Sequence, residues 1–445
     1  MSEVMFKRIL LVVLLVLGIS LPSTHAQCST NFVSGTDYFP SKVSFGDDSD
    51  FQVSYHNSFK VVTNALTNET YVLHCTTTSP SGVGVPANVK AYIQVPVNNT
   101  AVTDIGAIGF LKAIGVEKTV LYATNPENVT SACLQQTISN ASFTGTDAQL
   151  GQVGVVFTNT PANTPKYVTL SLNDDMSPLK KADRVKLVSL FFDLEDAANT
   201  YYNSTQATYA CHAQNAKISL QNKKKKSIAW VGYDGSAYNI IANAYYTNLT
   251  QNAGAIPFTT KTTTYTNLNE FQTAVFDVDF LIDLTYFDPN QLSWSNWLKL
   301  FGYFQTGDDD VPDFINEKRV YRIGGLVNPS GHEDWFENAD AMPDVAIKDL
   351  ISIQYPLYVK GYRPNWLLQF GASEPPTIVK ATDCVSGQNT LGTCVTGGLL
   401  ALASISVGAF ILRKKYKEKF FELKEEPTVQ LTEVNGEIRL TQIKQ

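Results

Sequence analysis

The sequence predicts an α/β protein built from two lobes that one long interdomain helix joins, with an apolar segment near each end of the chain. Strands and helices alternate in two separate stretches, which is typical of parallel sheets covered by helices. Between these stretches, residues 177–215 contain no glycine and a single proline. An uncharged run, residues 395–412, lies near the carboxyl terminus.

The two apolar segments predict export and membrane anchoring. Lys7 and Arg8 precede an apolar run that leads to small residues ending at Ala26, so residues 1–26 read as a cleaved signal peptide. Residues 395–412 are followed at once by basic residues, and a helix of this length spans about 27 Å. Because Lys and Arg concentrate on the cytoplasmic side, residues 413–445 are expected in the cytosol. A buried core helix is the alternative for this segment.

This topology predicts a single-pass type I membrane protein at the cell surface or in an endomembrane, with residues 27–394 outside the cytosol. All the cysteines lie in that part, and their even count favours disulfides. A pairing of Cys384 with Cys394 would close a small loop beside the membrane. The cysteines are Cys28, Cys75, Cys133, Cys211, Cys384 and Cys394. Glycosylation sequons begin at Asn68, Asn98, Asn128, Asn140, Asn203 and Asn248.

Charge and length exclude one class of partner and predict more than one core. The net charge of −7 leaves no basic field that would attract nucleic acid. An ectodomain of this length is too large for a single hydrophobic core, so two lobes are the natural expectation.

The elements follow in order along the ectodomain. In the first lobe, residues 27–176, alternating apolar residues predict strands from 45 to 96, a helix at 105–116 and a buried strand at 119–123. Residues 177–220 are the interdomain helix segment, in which a helix of about 35 residues begins with Ser177 as N-cap and Pro178 at the first position. The second lobe, residues 221–370, repeats the alternation with a strand at 227–232 and a helix at 238–253. Residues 371–394 are a Ser/Gly/Thr-rich stalk.

Several stretches, taken in this order, resemble the class III periplasmic-binding-protein family. They include IGFLKAIGVEKTVLYATN at 108–125, SPLKKADRVKLVSLFFDLEDAAN at 177–199 and DVDFLIDLTYF at 277–287. The resemblance implies two Rossmann-like lobes joined by one long helix, and capture of iron-siderophores, haem, cobalamin or metal ions for a membrane transporter. The spanning helix and the sequons depart from the bacterial pattern, which puts partnership with an ABC importer in doubt.

The candidate site follows from a rule of open α/β sheets, in which ligands bind beyond the carboxyl ends of the strands, between two domains. The residues that this rule selects are Tyr55, His56, Thr124, Asn125, Tyr233, Asp234, Thr285, Tyr286, Arg322, His332, Glu333 and Trp335.

Each candidate has a structural alternative. Tyr233 and Tyr286 are also compatible with half-buried aromatic packing, and Arg322 with an ion pair to Asp283. Trp335 fits core packing, while Glu333 and Asp334 would favour the start of a helix.

The chemistry of the ligand stays open at this point. The mature chain holds the histidines His56, His74, His212 and His332, and His56 and His332 could meet across the cleft to coordinate a metal directly. A chelate or another small organic ligand is the other reading. The sequence implies no resident cofactor.

The function predicted is an extracytoplasmic solute-binding protein that is not an enzyme. The alternative is an adhesion or signalling ectodomain that keeps the fold without solute transport. A hydrolase is a third reading, since GYDGSA at 232–237 would place Ser236 in a strand-to-helix turn, but it lacks the GxSxG spacing.

Overall fold

The computed structural model describes most of the predicted ectodomain and a short part of the tail. The described residues are 33, 35–138, 142–172, 175–220, 223–287, 292–303, 311–371, 374–384, 429–434 and 437–442. The predicted signal peptide, the segment 395–412, Asn140, Cys28 and Cys394 lie outside them. Within the described part, no helix combines the length and the apolar character needed to cross a membrane.

The first lobe opens with a four-stranded sheet. Its strands are β1 (Phe51–Tyr55), β2 (Phe59–Asn64), β3 (Glu69–His74) and β4 (Ala91–Gln94). The first three form an antiparallel meander, and β4 pairs parallel to β3 at the edge. The predicted parallel sheet does not extend to these three strands, because the turns between β1, β2 and β3 are too short for a crossover connection.

A second four-stranded sheet completes this lobe and is parallel throughout. Its strands are β5 (Thr100–Val102), β6 (Val120–Ala123), β7 (Val155–Thr158) and β8 (Tyr167–Thr169), in the order β6-β5-β7-β8. The helices are α1 (Gly106–Ala113), α2 (Ala132–Gln135) and α3 (Asp147–Gln152). Seven of the eight residues of α1 are buried, as expected for a helix that packs inside a hydrophobic core.

The interdomain segment is not the single helix that the sequence predicted. It forms α4 (Pro178–Ala182), α5 (Arg184–Ser189) and α6 (Glu195–Ser219), and Asp193 adopts a left-handed φ of 57° between the last two. The N-cap is confirmed, since the Ser177 side chain accepts a hydrogen bond from the amide of Lys180. The long helix α6 therefore has 25 residues and a length of about 37 Å.

Helix α6 contacts the cores of both lobes. Ala198 and Tyr202, near its start, pack in the core of the first lobe, whereas Tyr209 and Ala216, nearer its end, pack in that of the second. The helix thus bridges the two cores although it is shorter than predicted.

The second lobe is built on one mixed sheet. Its strands are β9 (Ser227–Tyr233), β10 (Tyr238–Ile240), β11 (Ile256–Pro257), β12 (Thr264–Tyr265), β13 (Phe280–Asp283), β14 (Val320–Arg322) and β16 (Leu368–Gln369). A separate parallel pair joins β15 (Leu326–Val327) to β17 (Thr377–Ile378). The parallel strands β9, β13 and β14 lie at the centre of the large sheet.

The helices of this lobe cover the sheet. They are α7 (Ala244–Asn252), α8 (Leu268–Val275), α9 (Trp294–Leu300), α10 (Asp313–Asn316), α11 (Trp335–Asn338) and α12 (Pro343–Gln354). The predicted helix 238–253 is wrong in its first part, because Tyr238–Ile240 return on β9 as the antiparallel strand β10. Asn243 caps α7 instead, by accepting a hydrogen bond from the amide of Tyr246.

Two further segments complete the described chain. Residues 374–384, which were predicted to be part of a stalk, contribute β17 and are therefore paired with the second lobe. Contacts between residues divide the chain into two compact units, Met1–Cys394 and Val395–Gln445. In the latter, β18 (Val429–Val434) and β19 (Glu437–Gln442) form an antiparallel hairpin.

Candidate functional site

The central parallel strands of the second lobe bring several predicted residues to one edge of the sheet. Asp283 is in register with Arg322 on one side and with Val231 on the other. The amide of Tyr233 donates to Thr285 Oγ1 at 2.8 Å. The strand register therefore brings Tyr233, Thr285 and Arg322 together at the carboxyl ends of these strands.

Arg322 is buried in a network of its own neighbours. Its guanidinium donates to Asp283 Oδ2 at 2.8 Å, to the Thr285 carbonyl at 2.9 Å and to Glu333 Oε1 at 3.2 Å. The rings of Phe287 and Phe370 lie about its faces, with centroids at 4.9 and 5.3 Å. The ion pair with Asp283, the structural alternative, is thus what the structure shows.

Burial disfavours the charged forms of the two acids in this network, Asp283 and Glu333, and the charge of Arg322 opposes this effect. Burial raises the pKa of Asp283, while Arg322 and the hydroxyl of Thr285 oppose the shift. Burial also raises the pKa of Glu333, again against the charge of Arg322. Thr285 Oγ1 donates to Asp283 Oδ1 at 2.5 Å, so Thr285, like Arg322 and Glu333, is engaged internally.

An exposed aromatic pair lies next to this network. The ring of Tyr286 is stacked on that of His332, with centroids 6.0 Å apart and planes 16° apart. Tyr286 is 62% exposed, which is unusual for a large ring. His332 is half-buried, so Tyr286 supplies most of the flat surface that the pair offers to solvent at the carboxyl edge of β13.

The turn between β9 and β10 supplies further exposed polar groups. Asp234 Oδ1 accepts from the amides of Ser236 and Ala237 and from the Ser236 hydroxyl, and these bonds hold the pKa of Asp234 well below its usual range. The ring of Tyr233 packs against that of Tyr238, with centroids 4.8 Å apart and planes tilted by 37°. Because this turn leads to a strand, Ser236 does not lie in the strand-to-helix turn that the hydrolase reading required.

Of the two roles considered for Trp335, ligand contact and core packing, the structure shows core packing. It is 4% exposed and lies in a cluster of aromatic rings. Its neighbours are Trp230, Tyr245, Tyr246 and Trp366. A ligand at the sheet edge would not contact this ring directly.

The first-lobe candidates divide into two places. Thr124 and Asn125 follow β6 in the parallel sheet, and Asn125 is exposed. Tyr55 belongs to the meander, where its hydroxyl donates to Glu195 at 3.4 Å and accepts from the Val43 amide. The ring of His56 stacks on that of Phe59, with centroids 4.2 Å apart, and the ring of His332 stacks on that of Tyr286, so each histidine has its ring contact within its own lobe.

The loop after Thr124 and Asn125 is bonded to the second lobe. Asn328 Nδ2 donates to the carbonyls of Glu127 and Val129 at 2.8 and 3.1 Å. The Thr130 hydroxyl donates to Asp334 Oδ1 at 2.7 Å. These contacts hold Thr124 and Asn125 near the junction of the lobes, next to the segment that carries His332.

Glu337 is the most deeply buried acid of this junction. Its Oε2 accepts from the amides of Thr130 and Ser131 at 2.6 and 3.2 Å, while its Oε1 has no hydrogen-bond partner. Burial, with the charge of Asp334 next, raises the pKa of Glu337 to about 7. Sequence reasoning missed these junction residues. The acid cluster in HEDWFENAD was the available signal.

A disulfide also ties the junction. Cys133, in α2, is bonded to Cys384, which follows β17, so the suggested Cys384–Cys394 pairing is wrong. Cys75 and Cys211 are disulfide-bonded as well. Among the residues that the structure describes, no group of three or more His, Cys, Asp or Glu side chains could hold a metal ion.

The structural neighbours of the chain are periplasmic and ABC-transporter solute-binding proteins. A periplasmic heme binding protein from Pseudomonas aeruginosa is 10% identical with a TM-score of 0.47, over 63% of this chain and 99% of that chain. A periplasmic binding protein from Veillonella parvula is 12% identical with a TM-score of 0.46, over 60% and 88%. The Helicobacter pylori protein Ceue, solved with Ni(II) bound, is 11% identical with a TM-score of 0.42, over 61% and 88%. No protein-family model and no curated protein matches the chain significantly.

Proposed function

We propose that the chain is an extracytoplasmic solute-binding protein whose ligand lies against the exposed aromatic pair Tyr286–His332. The single observation that carries the proposal is this stacked pair at the carboxyl edge of a parallel sheet, in which Tyr286 faces solvent and His332 is half-buried. Ligands of open α/β sheets bind at that edge. Thr124 and Asn125 would complete the site from the first lobe.

The exposed pair favours a flat, conjugated ligand. Aromatic faces pack by offset stacking, and a neutral imidazole can also coordinate a transition metal. Haem, the corrin of cobalamin and a catecholate iron-siderophore all present such surfaces. Because Arg322, Glu333 and Thr285 are engaged with one another, direct contacts would come from Tyr233, Asp234, Tyr286 and His332.

Export and anchoring belong to the same proposal. The predicted signal peptide, residues 1–26, and the predicted spanning helix, residues 395–412, would hold the lobes outside the cytosol. The Cys133–Cys384 disulfide supports an oxidising compartment. A membrane transporter that takes over the solute would be the partner.

A thermal-shift screen of the detergent-solubilised full chain tests the proposal. The probes are haemin, cyanocobalamin, a ferric catecholate siderophore and Ni(II). A ligand present at about 100 times its Kd adds about 2.7 kcal/mol to the unfolding free energy. We expect one probe to raise Tm, and Tyr286→Ala with His332→Ala to weaken its binding by about tenfold or more, as the loss of stacking predicts.

The control is Tyr92→Ala, which removes a ring that is 43% exposed on β4, in the first lobe. It should leave ligand binding unchanged. No shift with any probe, or a shift that survives loss of both Tyr286 and His332, would contradict the proposal.

A recognition ectodomain without a solute is the second candidate function. It is favoured by the internal engagement of Arg322, Glu333 and Thr285, which leaves fewer polar groups for a solute. It is also favoured by the bonds that tie the lobes, including the Cys133–Cys384 disulfide. Failure of every small probe together with saturable binding of the ectodomain to a protein on intact cells would favour this candidate.

A further inference from the structure

The outer edge of β4 is an open strand edge on the first lobe. This strand pairs with β3 on one side and is the last strand of its sheet. Its segment AYIQ carries no charge, and Tyr92 and Gln94 are exposed. Lys90, just before it, is engaged by Glu69 and by the Tyr167 carbonyl. Such an edge is a template for pairing with another chain unless something covers it.

A groove made of neighbouring cavities lies along this edge. It consists of three cavities of about 400, 520 and 730 Å³, and adjacent cavities share Lys90 in one case and Gln94 with Gly154 in the other. The wall opposite β4 is formed by Gly154, Pro165 and Lys166. Each volume lies in the range that holds small ligands, about 300–1,000 Å³.

A sequon asparagine lines each end of the groove. Asn68 lies in the cavity of about 400 Å³ and Asn98 in that of about 730 Å³. Both side chains are exposed. Asn68 has a φ of 55° in the β2–β3 turn, a conformation that asparagine tolerates well. Asn248 differs, because its amide nitrogen donates to the Ala244 carbonyl at 2.7 Å inside α7.

We propose that N-linked glycans on Asn68 and Asn98 lie in this groove and cover the open edge of β4. In the modification, the asparagine amide nitrogen forms a bond to the anomeric carbon of a lipid-pyrophosphate-linked oligosaccharide. The bond from that carbon to the pyrophosphate oxygen breaks, and the lipid pyrophosphate leaves while the amide loses a proton.

The chemistry of the groove fits sugars. Its end at Asn98 is lined by the polar residues Gln94, Asn99, Gln152 and Asp193, and its other end by Asn88 and Asn163. Carboxamides both donate hydrogen bonds to hydroxyl groups and accept them, whereas carboxylates accept them. The inference rests on the export part of the proposed function, since only an exported chain meets the glycosylation machinery.

The test compares two double variants of the full chain made in eukaryotic cells. Asn68→Asp with Asn98→Asp removes both sequons and keeps a side chain that tolerates the turn at residue 68. Asn163→Asp with Asn203→Asp adds the same charge. It removes the sequon at Asn203, outside the groove, and keeps both groove sequons. The readouts are glycopeptide mapping, amide hydrogen exchange over residues 91–94 and the rate of aggregation.

We expect Asn68 and Asn98 to be occupied. The first double variant should exchange these amides about tenfold faster or more and aggregate several-fold faster, while the control matches the wild type. Occupancy at other sequons with Asn68 or Asn98 bare, or unchanged exchange in the first variant, overturns the glycan cover alone. Absence of glycan at every sequon overturns both the cover and export, whereas a failed solute screen leaves the cover standing.

Discussion

Among single residues, Arg322 is a plausible ligand-binding group from the sequence but has a structural role in the fold. Its position at the carboxyl end of β14 was predictable from the strand pattern. Its partners were not, because Glu333 lies beyond another strand and the orientation of its carboxylate depends on tertiary packing. The guanidinium ends in contact with Asp283, Thr285 and Glu333, and has a structural role beneath the exposed pair.

Replacing Arg322 should therefore destabilise the second lobe and not only weaken binding. Arg322→Leu leaves Asp283 fully buried and without its cation, which costs about 3–5 kcal/mol of unfolding free energy. Urea denaturation measures this loss. Arg363→Leu is the control, since Arg363 and Glu374 form an exposed pair worth at most about 1 kcal/mol. A loss below about 1 kcal/mol for Arg322→Leu would refute its structural role.

Glu337 makes stability depend on pH at the junction of the lobes. The groups that face it are the Thr130 and Ser131 amides, the Asp334 carboxylate and, at longer range, Lys112. Its folded pKa of about 7 exceeds its ordinary value of 4.5, so the folded state binds the extra proton between these values. The unfolding free energy must then fall as pH rises through that window.

Glu337→Gln should raise stability at pH 8 and flatten the dependence between pH 5 and pH 7. The change removes a buried charge that costs about 3 kcal/mol above pH 7. A residual slope of the same sign should remain, because burial raises the pKa values of Asp344 and Asp349 to about 6. Urea titrations at several pH values measure the effect, with surface Glu270→Gln as control. An unaltered slope would show that Glu337 does not titrate in this range.

At the scale of elements, a buried lysine explains why the interdomain segment breaks. Lys60 Nζ, from β2, donates to the Leu190 carbonyl at 3.0 Å, to Asp193 at 3.3 Å and to Glu195 at 2.5 Å. It satisfies a carbonyl at the end of one helix and a carboxylate at the start of the next. Apolar residues keep their helical spacing through FFDL, so the local sequence did not predict this break. Lys60, which stabilises it, lies about 130 residues earlier in the sequence.

Lys60→Met should lower the unfolding free energy by about 3 kcal/mol or more, because Glu195 stays buried without its cation. Chemical denaturation gives the value. Lys42→Met, which removes an exposed partner of Asp37, should cost at most about 1 kcal/mol. Equal effects of the two substitutions would mean that Lys60 does not hold the helix break.

Other elements differ in how far local pattern could predict them. The buried strands β9 and β13 and the cap at Ser177 were predictable, since apolar runs and capping residues act locally. The β9–β10 hairpin was not, because apolar residues after Tyr238 are compatible with a helix. The hydrogen bonds that Asp234 makes within the turn decide the outcome.

For the whole molecule, the contacts between the lobes favour small relative movements over a wide hinge motion. Helix α6 contacts both cores, and Asn328, Thr130 and Glu337 bond one lobe to the other. The Cys133–Cys384 disulfide adds a covalent tie across 251 residues of sequence. A site between lobes tied in this way would be largely formed before ligand arrives, which reduces the ordering cost of binding.

Hydrogen exchange of the full chain, with and without the probe that raises Tm most, tests the central claim most directly. We predict slower exchange at residues 233–239, 284–287 and 331–333, which flank the exposed pair at the carboxyl edge of the second-lobe sheet. Protection confined to other parts of the chain, with these three segments unchanged, would contradict the claim that the solute binds against Tyr286 and His332.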